Sequence, residues 1–434
     1  MPLSEKGSLS RAQTGALHRV EQALRAAGAL GSDEAIPRLP PDALALLDRR
    51  VGLSIHDGLV TGLALRRCGL AALPDAICAL DGLHWLDIGG NRLDSLPDAL
   101  CDLTQLKTLY ANDNRLAALP DAMDRLGALQ TLHLDNNLLT TLPDSLGRLA
   151  ALHDLNLRRN QLATLPAALW SLTHLQSLSL GENGLTTLPD AIGKLRGLRR
   201  LYVDGNQLAR LPESLGALTL LQILDLGHNR LEALPDSLGN LSQLEILYAS
   251  DGHLTTLPES LRRLARLRYL NLTHNALAAL PNWLGELTAL IELRLYNNPL
   301  AALPDSVGDL SNLRELYLMD NGLATLPDSI GQLRRLRVLR LQNNRLEALP
   351  ETLGELTRLT ELDLRNNRIA WAPDSLGALS ELRTLDLRGN RLAAVPVSLG
   401  ALPHLEKLDL RWNRLSSVPG WMADLESRGC AVYI

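Results

Sequence analysis

The chain has 434 residues, a net charge of −5 and a pI near 6.1, a balance that argues against a surface dominated by polyanion binding. It contains no run of 18 apolar residues, and the opening MPLSEKGSLSRAQTG lacks the apolar core of a secretory signal. Four cysteines without a framework suit a reducing compartment, so a cytoplasmic location is expected, the alternative being secretion into a host cell without a classical signal peptide.

Ser10-Arg11-Ala12-Gln13 has the spacing of a capping box, and Leu17, Val20, Leu24 and Ala27 follow on one helical face. That helix and the stretch Pro41-Asp42-Ala43-Leu44-Ala45-Leu46-Leu47 are expected to cover an open core. Residues 1–58 are read as a helical N-terminal cap whose polar start is a candidate export segment.

From residue 59 a period takes over. Asn stands at 91, 114, 137, 160, 183, 206 and 229, then at 275, 298, 321, 344, 367, 390 and 413, always 23 residues or a multiple apart. Gly252 fills the one vacancy and Cys68 lies one step before the first Asn, which gives 16 rungs over residues 59–425. Pro keeps the same beat six residues after each rung, from Pro74 to Pro419. Leucines five and three residues before the rung alternate as a short strand with one buried face. Such a strand must pair with its copy in the next repeat, so a parallel sheet follows.

The remaining apolar positions return the chain through an outer layer. Pro followed by an acid, as in Pro235-Asp236 and Pro350-Glu351, suits the first turn of a short helix or 3₁₀ segment, with Gly239, Gly285 and Gly354 closing it. The rung Asn is read as scaffold, because its amide offers donors and an acceptor to backbone groups that leave the sheet. Cys68 is a terminal variant of that role. At the far end GCAVYI reads as a capping strand within residues 426–434.

The consensus LPxxLGxLxxLxxLxLxxNxLxx resembles the leucine-rich-repeat family in its 23-residue form, over roughly Leu59 to Leu425. It is similar to the Ras-group scaffolds of animals and plants and to the repeat regions of bacterial effectors. The resemblance implies an α/β repeat solenoid, a horseshoe with a concave parallel sheet and a convex layer of short helices or 3₁₀ turns. It also implies a non-catalytic module that binds a protein on its concave face. A bacterial effector acting on host signalling proteins is the alternative reading.

Enzymatic chemistry finds no footing. There is no GxxxxGK[ST] phosphate loop, and no Cys is followed two residues later by Asp as in the repeat-bearing ubiquitin ligases. The sequence outside the repeats is too short for the catalytic domains that accompany such repeats, so no enzyme, no cofactor, no metal and no nucleic acid are expected. Cys78 and Cys101 lie one period apart, as two small buried residues, a zinc pair or, after export, a disulfide. His228, Asp251 and His274 recur just before three successive rungs, in a column that holds solvated polar residues elsewhere.

The columns six, four and two residues before the rung point out of the sheet, and six of the seven tyrosines occupy them. These are Tyr110, Tyr202, Tyr248, Tyr269, Tyr296 and Tyr317, joined by Trp85, with Trp412 just before its own rung. The expected partner surface comprises Tyr202, Asp225, Ile246, Tyr248, Tyr269, Arg294, Tyr296, Tyr317, Met319 and Arg340; cross-strand packing of aromatics is the competing reading. Farther on, Asp363, Asp386 and Asp409 form one column and Arg365, Arg388 and Arg411 the next, as a salt-bridge ladder or as an extension of the partner surface. The stretch LYASDGHL, where Gly252 replaces the rung Asn and Ala249 an inward Leu, adjoins Tyr248 and reads either as drift or as a softened place under the patch.

Overall fold

The computed structural model describes residues 9–39 and 50–434. The expected cover at Pro41–Leu47 lies outside the described residues. Two compact units divide at Gln207 and Leu208.

In the first unit, α1 (Arg11–Ala26) begins where the capping pattern places it, the Ser10 hydroxyl accepting the Gln13 N–H at 3.2 Å. Gln13 does not close the box. Its buried amide accepts the Val60 N–H at 2.8 Å and donates to Asp81 at 3.0 Å, tying the helix to the first repeats. Strand β1 (Arg38–Leu39) pairs in parallel with β2 (Val51–His56), which pairs antiparallel with β3 (Leu59–Leu65). Asp57 and Gly58 turn this hairpin with φ of 48° and 74°, so a β-hairpin stands where the sequence reading placed only helical cover. From β3 the unit runs in parallel through β4 (Trp85–Asp87) to β9 (Arg200–Tyr202), one strand per repeat.

The second unit carries the same register from β10 (Ile223–Asp225) to β19 (Ala431–Tyr433), with α2 (Trp421–Ser427) before the last strand. Inward leucines stack without offset, Leu270 on Leu293 on Leu316, each with at most 1% exposed. Each buried Leu contributes about 1.5–3 kcal/mol, and every repeat supplies several.

The rung Asn does what its amide predicts. In all fourteen cases Oδ1 accepts the backbone N–H of the residue 21 positions earlier. Nδ2 donates to carbonyls on both sides; Asn344, for example, reaches Leu318 and Leu341 at 2.9 Å each. Cys68, at the first rung, donates its thiol to the Arg66 carbonyl at 3.3 Å. At the vacancy, Gly252 has no amide oxygen to accept the Leu231 N–H, whose counterpart donates to Oδ1 at every Asn rung. A Cβ on Gly252 would lie 3.0 Å from the tip of Asn275 and 3.4 Å from the Leu231 carbonyl. Asn stacks on Asn throughout the rest of the ladder, so Asn275 has only to settle into the spacing its neighbours keep. Gly252→Asn should therefore stabilise the protein by about 1 kcal/mol, through the restored bond and a less flexible unfolded chain. Denaturant melts read this, and a loss of stability would show that the glycine is required.

The residue before each of the 16 rungs occupies left-handed backbone, with φ from 51° at Glu182 to 68° at Gly90 and Gly389. That conformation explains the Asn, Asp, Gly and His of this column, which tolerate it best. Arg67, Arg159, Glu182 and Trp412 adopt it as well.

The outer layer corrects two expectations. Pro235, with φ −71° and ψ 147°, precedes the 3₁₀ turn Asp236–Asn240 as its cap; the acid, not the proline, takes the first turn position. Gly239, Gly285 and Gly354 lie inside their turns and are not left-handed terminators. A Cβ there would come within 2.2–2.3 Å of the carbonyl oxygens of Ser260, Ser306 and Ser375 in the following turns. The glycine lets one turn lie directly against the next. Where Arg262, Trp170, Asp124 or a cysteine takes that place, consecutive turns touch less.

Candidate functional site

Side chains in the outward columns of the second unit sort into one connected group and one side pair. Tyr248 (β11, Ile246–Tyr248) and Tyr269 (β12, Tyr269–Asn271) meet with ring centroids 4.8 Å apart. The Arg294 guanidinium (β13, Glu292–Arg294) lies 5.5 Å from the Tyr269 ring and 5.1 Å from that of Tyr317 (β14, Glu315–Tyr317). Arg340 (β15, Val338–Arg340) covers the other side of Tyr317 at 5.5 Å. Arg294, Tyr317 and Arg340 are directly opposed in register, which is why cation and ring alternate so closely.

Three glutamates, not singled out in the sequence, orient these groups. Glu292 accepts from Arg294 at 2.5 Å, Glu361 accepts from Arg340 at 2.8 and 3.3 Å, and Glu315 accepts the Tyr317 hydroxyl at 2.6 Å. Their signal was available: they hold the column two residues before the Arg and Tyr column. Burial pushes the Tyr269 hydroxyl up to about 12 and raises Tyr317 further, helped by Glu315, so both phenols stay neutral donors. Tyr296 turns aside and packs edge-on against His274 at 5.4 Å. Ile246 and Met319 are half-buried beside the ladder. Asp225 accepts the Gly227 N–H at 3.0 Å, a local turn.

The first unit uses its aromatics differently. Trp85 is buried and packs with Ala64, Leu39 and, edge-on at 5.9 Å, Tyr110, which in turn meets His133 at 5.0 Å. Tyr202 is half-buried on β9 of this unit.

The repeat geometry matches known proteins. The family described as leucine-rich repeat region matches residues 136–222 and 204–295, and the leucine rich repeat family matches 311–369, 372–427 and 82–103. A leucine-rich-repeat protein of Leptospira interrogans is 33% identical with a TM-score of 0.82, over 91% of this chain and 99% of its own. The chain belongs to the leucine-rich-repeat family. Toll of Drosophila, in complex with Spatzle, is 27% identical with a TM-score of 0.71, over 81% of this chain and 50% of its own. The ectodomain of the Arabidopsis thaliana receptor kinase GASSHO1/SCHENGEN3, in complex with CASPARIAN STRIP INTEGRITY FACTOR 2, is 27% identical with a TM-score of 0.52, over 87% and 55%. No curated protein matches by sequence.

In this leucine-rich-repeat chain the C-terminal acid and arginine columns hold each other. Asp386 and Asp409 are buried, and each accepts the backbone N–H of the Arg two residues on, as Asp363 does. Arg388 contacts Asp386 at 3.0 Å and Asp409 at 3.8 Å, Arg411 grips Asp409 at 2.7 Å, and Arg365 lies 3.6 Å from Asp363. Burial alone would raise Asp409, but the hydrogen bonds and charge of Arg411 outweigh it and hold the carboxyl below its usual range. The Asp column thus terminates strands, which the sequence reading missed.

Other constellations come apart. His228 faces Asp251 at 3.5 Å, while His274 turns to Asn297 at 3.0 Å. Among the described residues, no group of three His, Cys, Asp or Glu could hold a metal, and no helix is long and apolar enough to cross a membrane. All four cysteines are free, and burial pushes the Cys78 and Cys101 thiols up to about 11, which keeps them protonated at neutral pH.

Proposed function

We propose that this leucine-rich-repeat protein is a non-catalytic module that binds a protein partner on the open face of the second unit, centred on Tyr248, Tyr269, Arg294, Tyr317 and Arg340. The observation that carries this reading is the alternating ladder of rings and guanidinium groups. Folding of the repeat does not ask for it, since Asn, Ser, Thr and Asp fill the same columns elsewhere. Its glutamates fix the arginines in place, so little side-chain freedom remains to be lost on association. The five strands span about 19 Å of sheet, a footprint suited to a small protein surface or an extended segment. Tyr296, Met319 and Ile246 border it, while the paired Arg365, Arg388 and Arg411 lie at its periphery. Complexes of Toll and of GASSHO1/SCHENGEN3 with their ligands lend the reading support by kinship.

Affinity capture from native lysate, repeated with Tyr269→Ala and Tyr317→Ala, tests it. Each variant should weaken partner binding by about 1–3 kcal/mol while melting within about 0.5 kcal/mol of the parent. Normal binding by variants that melt early would make the ladder packing instead of recognition.

A further inference from the structure

Just outside the open face, a groove of about 370 Å³ runs along the edge where the chain enters four strands of the second unit. It is lined by Arg266, Arg268 and Arg314, by the apolar Ala265, Ala289 and Ile291, and by Asn312 and Glu245. The same edge continues through Arg335, Arg337 and Arg358. From residue 266 to 360, the positions nine and seven before the rung hold six arginines and no acid.

Several exposed arginines of the outer layer and strand edges are neutralised across repeats. Arg148 bonds Asp124, Arg262 bonds Glu286, Arg334 bonds Glu355 and Arg383 bonds Glu406. Along the edge strip this stops. Arg266 and Arg335 reach only the neutral amides of Gln243 and Asn312, and among the described residues none of the six bonds a carboxylate. Glu245 is the one acid among the groove's lining residues, against three arginines, so the groove carries an excess of positive charge that a bound anion would relieve.

We infer that this groove is a second binding site, distinct from the tyrosine face, that takes a short carboxylate-rich peptide segment. Arginine forks grip carboxylates in pairs, and the apolar lining residues accept the methylenes of a Glu or the side chain beside it.

A fluorescein-labelled hexaglutamate peptide titrated into the full-length protein tests the assignment, with fluorescence anisotropy as the readout. Arg268→Gln with Arg314→Gln should weaken binding about tenfold or more, and raising salt from about 0.05 to 0.3 M should weaken it further in the parent. Tyr269→Ala with Tyr317→Ala should leave peptide binding unchanged, which separates this site from the face proposed above. Unaltered binding in the double arginine variant would overturn the inference. So would tighter binding of a single-stranded oligonucleotide that the same variant abolishes. A charge-conserving Arg268→Lys with Arg314→Lys variant keeps the charge but loses the forks, so it should bind with an affinity between those of the parent and the glutamine pair while melting with the parent; binding as tight as the parent's would overturn the fork-based recognition.

Discussion

Replacing Asn344 by alanine should cost the fold about 2–4 kcal/mol, more than any single exposed substitution. Asn344 is 7% exposed, and its Oδ1 accepts the Leu323 N–H at 3.1 Å. That donor loses its partner in a dry core, at about 1–3 kcal/mol. The two carbonyls nearest its Nδ2, at 2.9 Å each, are better protected. Leu318 also accepts from Asn321 and Leu341 from Asn367, so each keeps one bond and loses a fraction of its stabilisation. Arg345→Ala, on the exposed next residue, should stay within about 0.5 kcal/mol. Hydrogen exchange adds a local check: the Leu323 amide should become the least protected in its neighbourhood. A cost below about 1 kcal/mol would mean that the rung amides decorate the solenoid and do not hold it.

The second large effect belongs to a residue with no side chain. Gly331→Ala would place a methyl 2.4 Å from the Thr352 carbonyl oxygen and 2.8 Å from its Cβ. Both neighbours are fixed parts of the next turn, so the turns must separate, and the loss should be about 2–4 kcal/mol. Arg262→Ala, at the equivalent position of a repeat that already carries a side chain, should be nearly neutral. A Gly331→Ala protein that melts with the parent would show that the outer layer yields easily and that its glycines are incidental.

Those two residues also show what the sequence made legible. The Asn period stated its own role, because one amide must satisfy donors and acceptors that recur at a fixed spacing. The glycines were visible but misjudged. A helix terminator and a close approach leave the same residue in the sequence, and only the neighbouring Thr352 or Ser260 carbonyl tells them apart. The left-handed column could have been read from its Asn, Asp and Gly, yet Arg159, Glu182 and Trp412 blurred it. Asp57-Gly58 is a strong hairpin signal, at odds with a purely helical cover over residues 1–58. On the candidate face, the tyrosines stood out by type. Their grouping depended on register and rotamer, which sent Tyr296 to His274 and set Arg294 between two rings.

The most direct test of the binding face is site-specific photocrosslinking. A benzophenone amino acid placed at Met319 or Ile246, beside the ladder, should capture a partner in native lysate, and Tyr269→Ala with Tyr317→Ala should abolish that product. The same probe at Glu351, on the outer turn Glu351–Glu355, should capture nothing specific. Adducts that arise from Glu351 alone, or face adducts indifferent to loss of both tyrosines, would contradict the account.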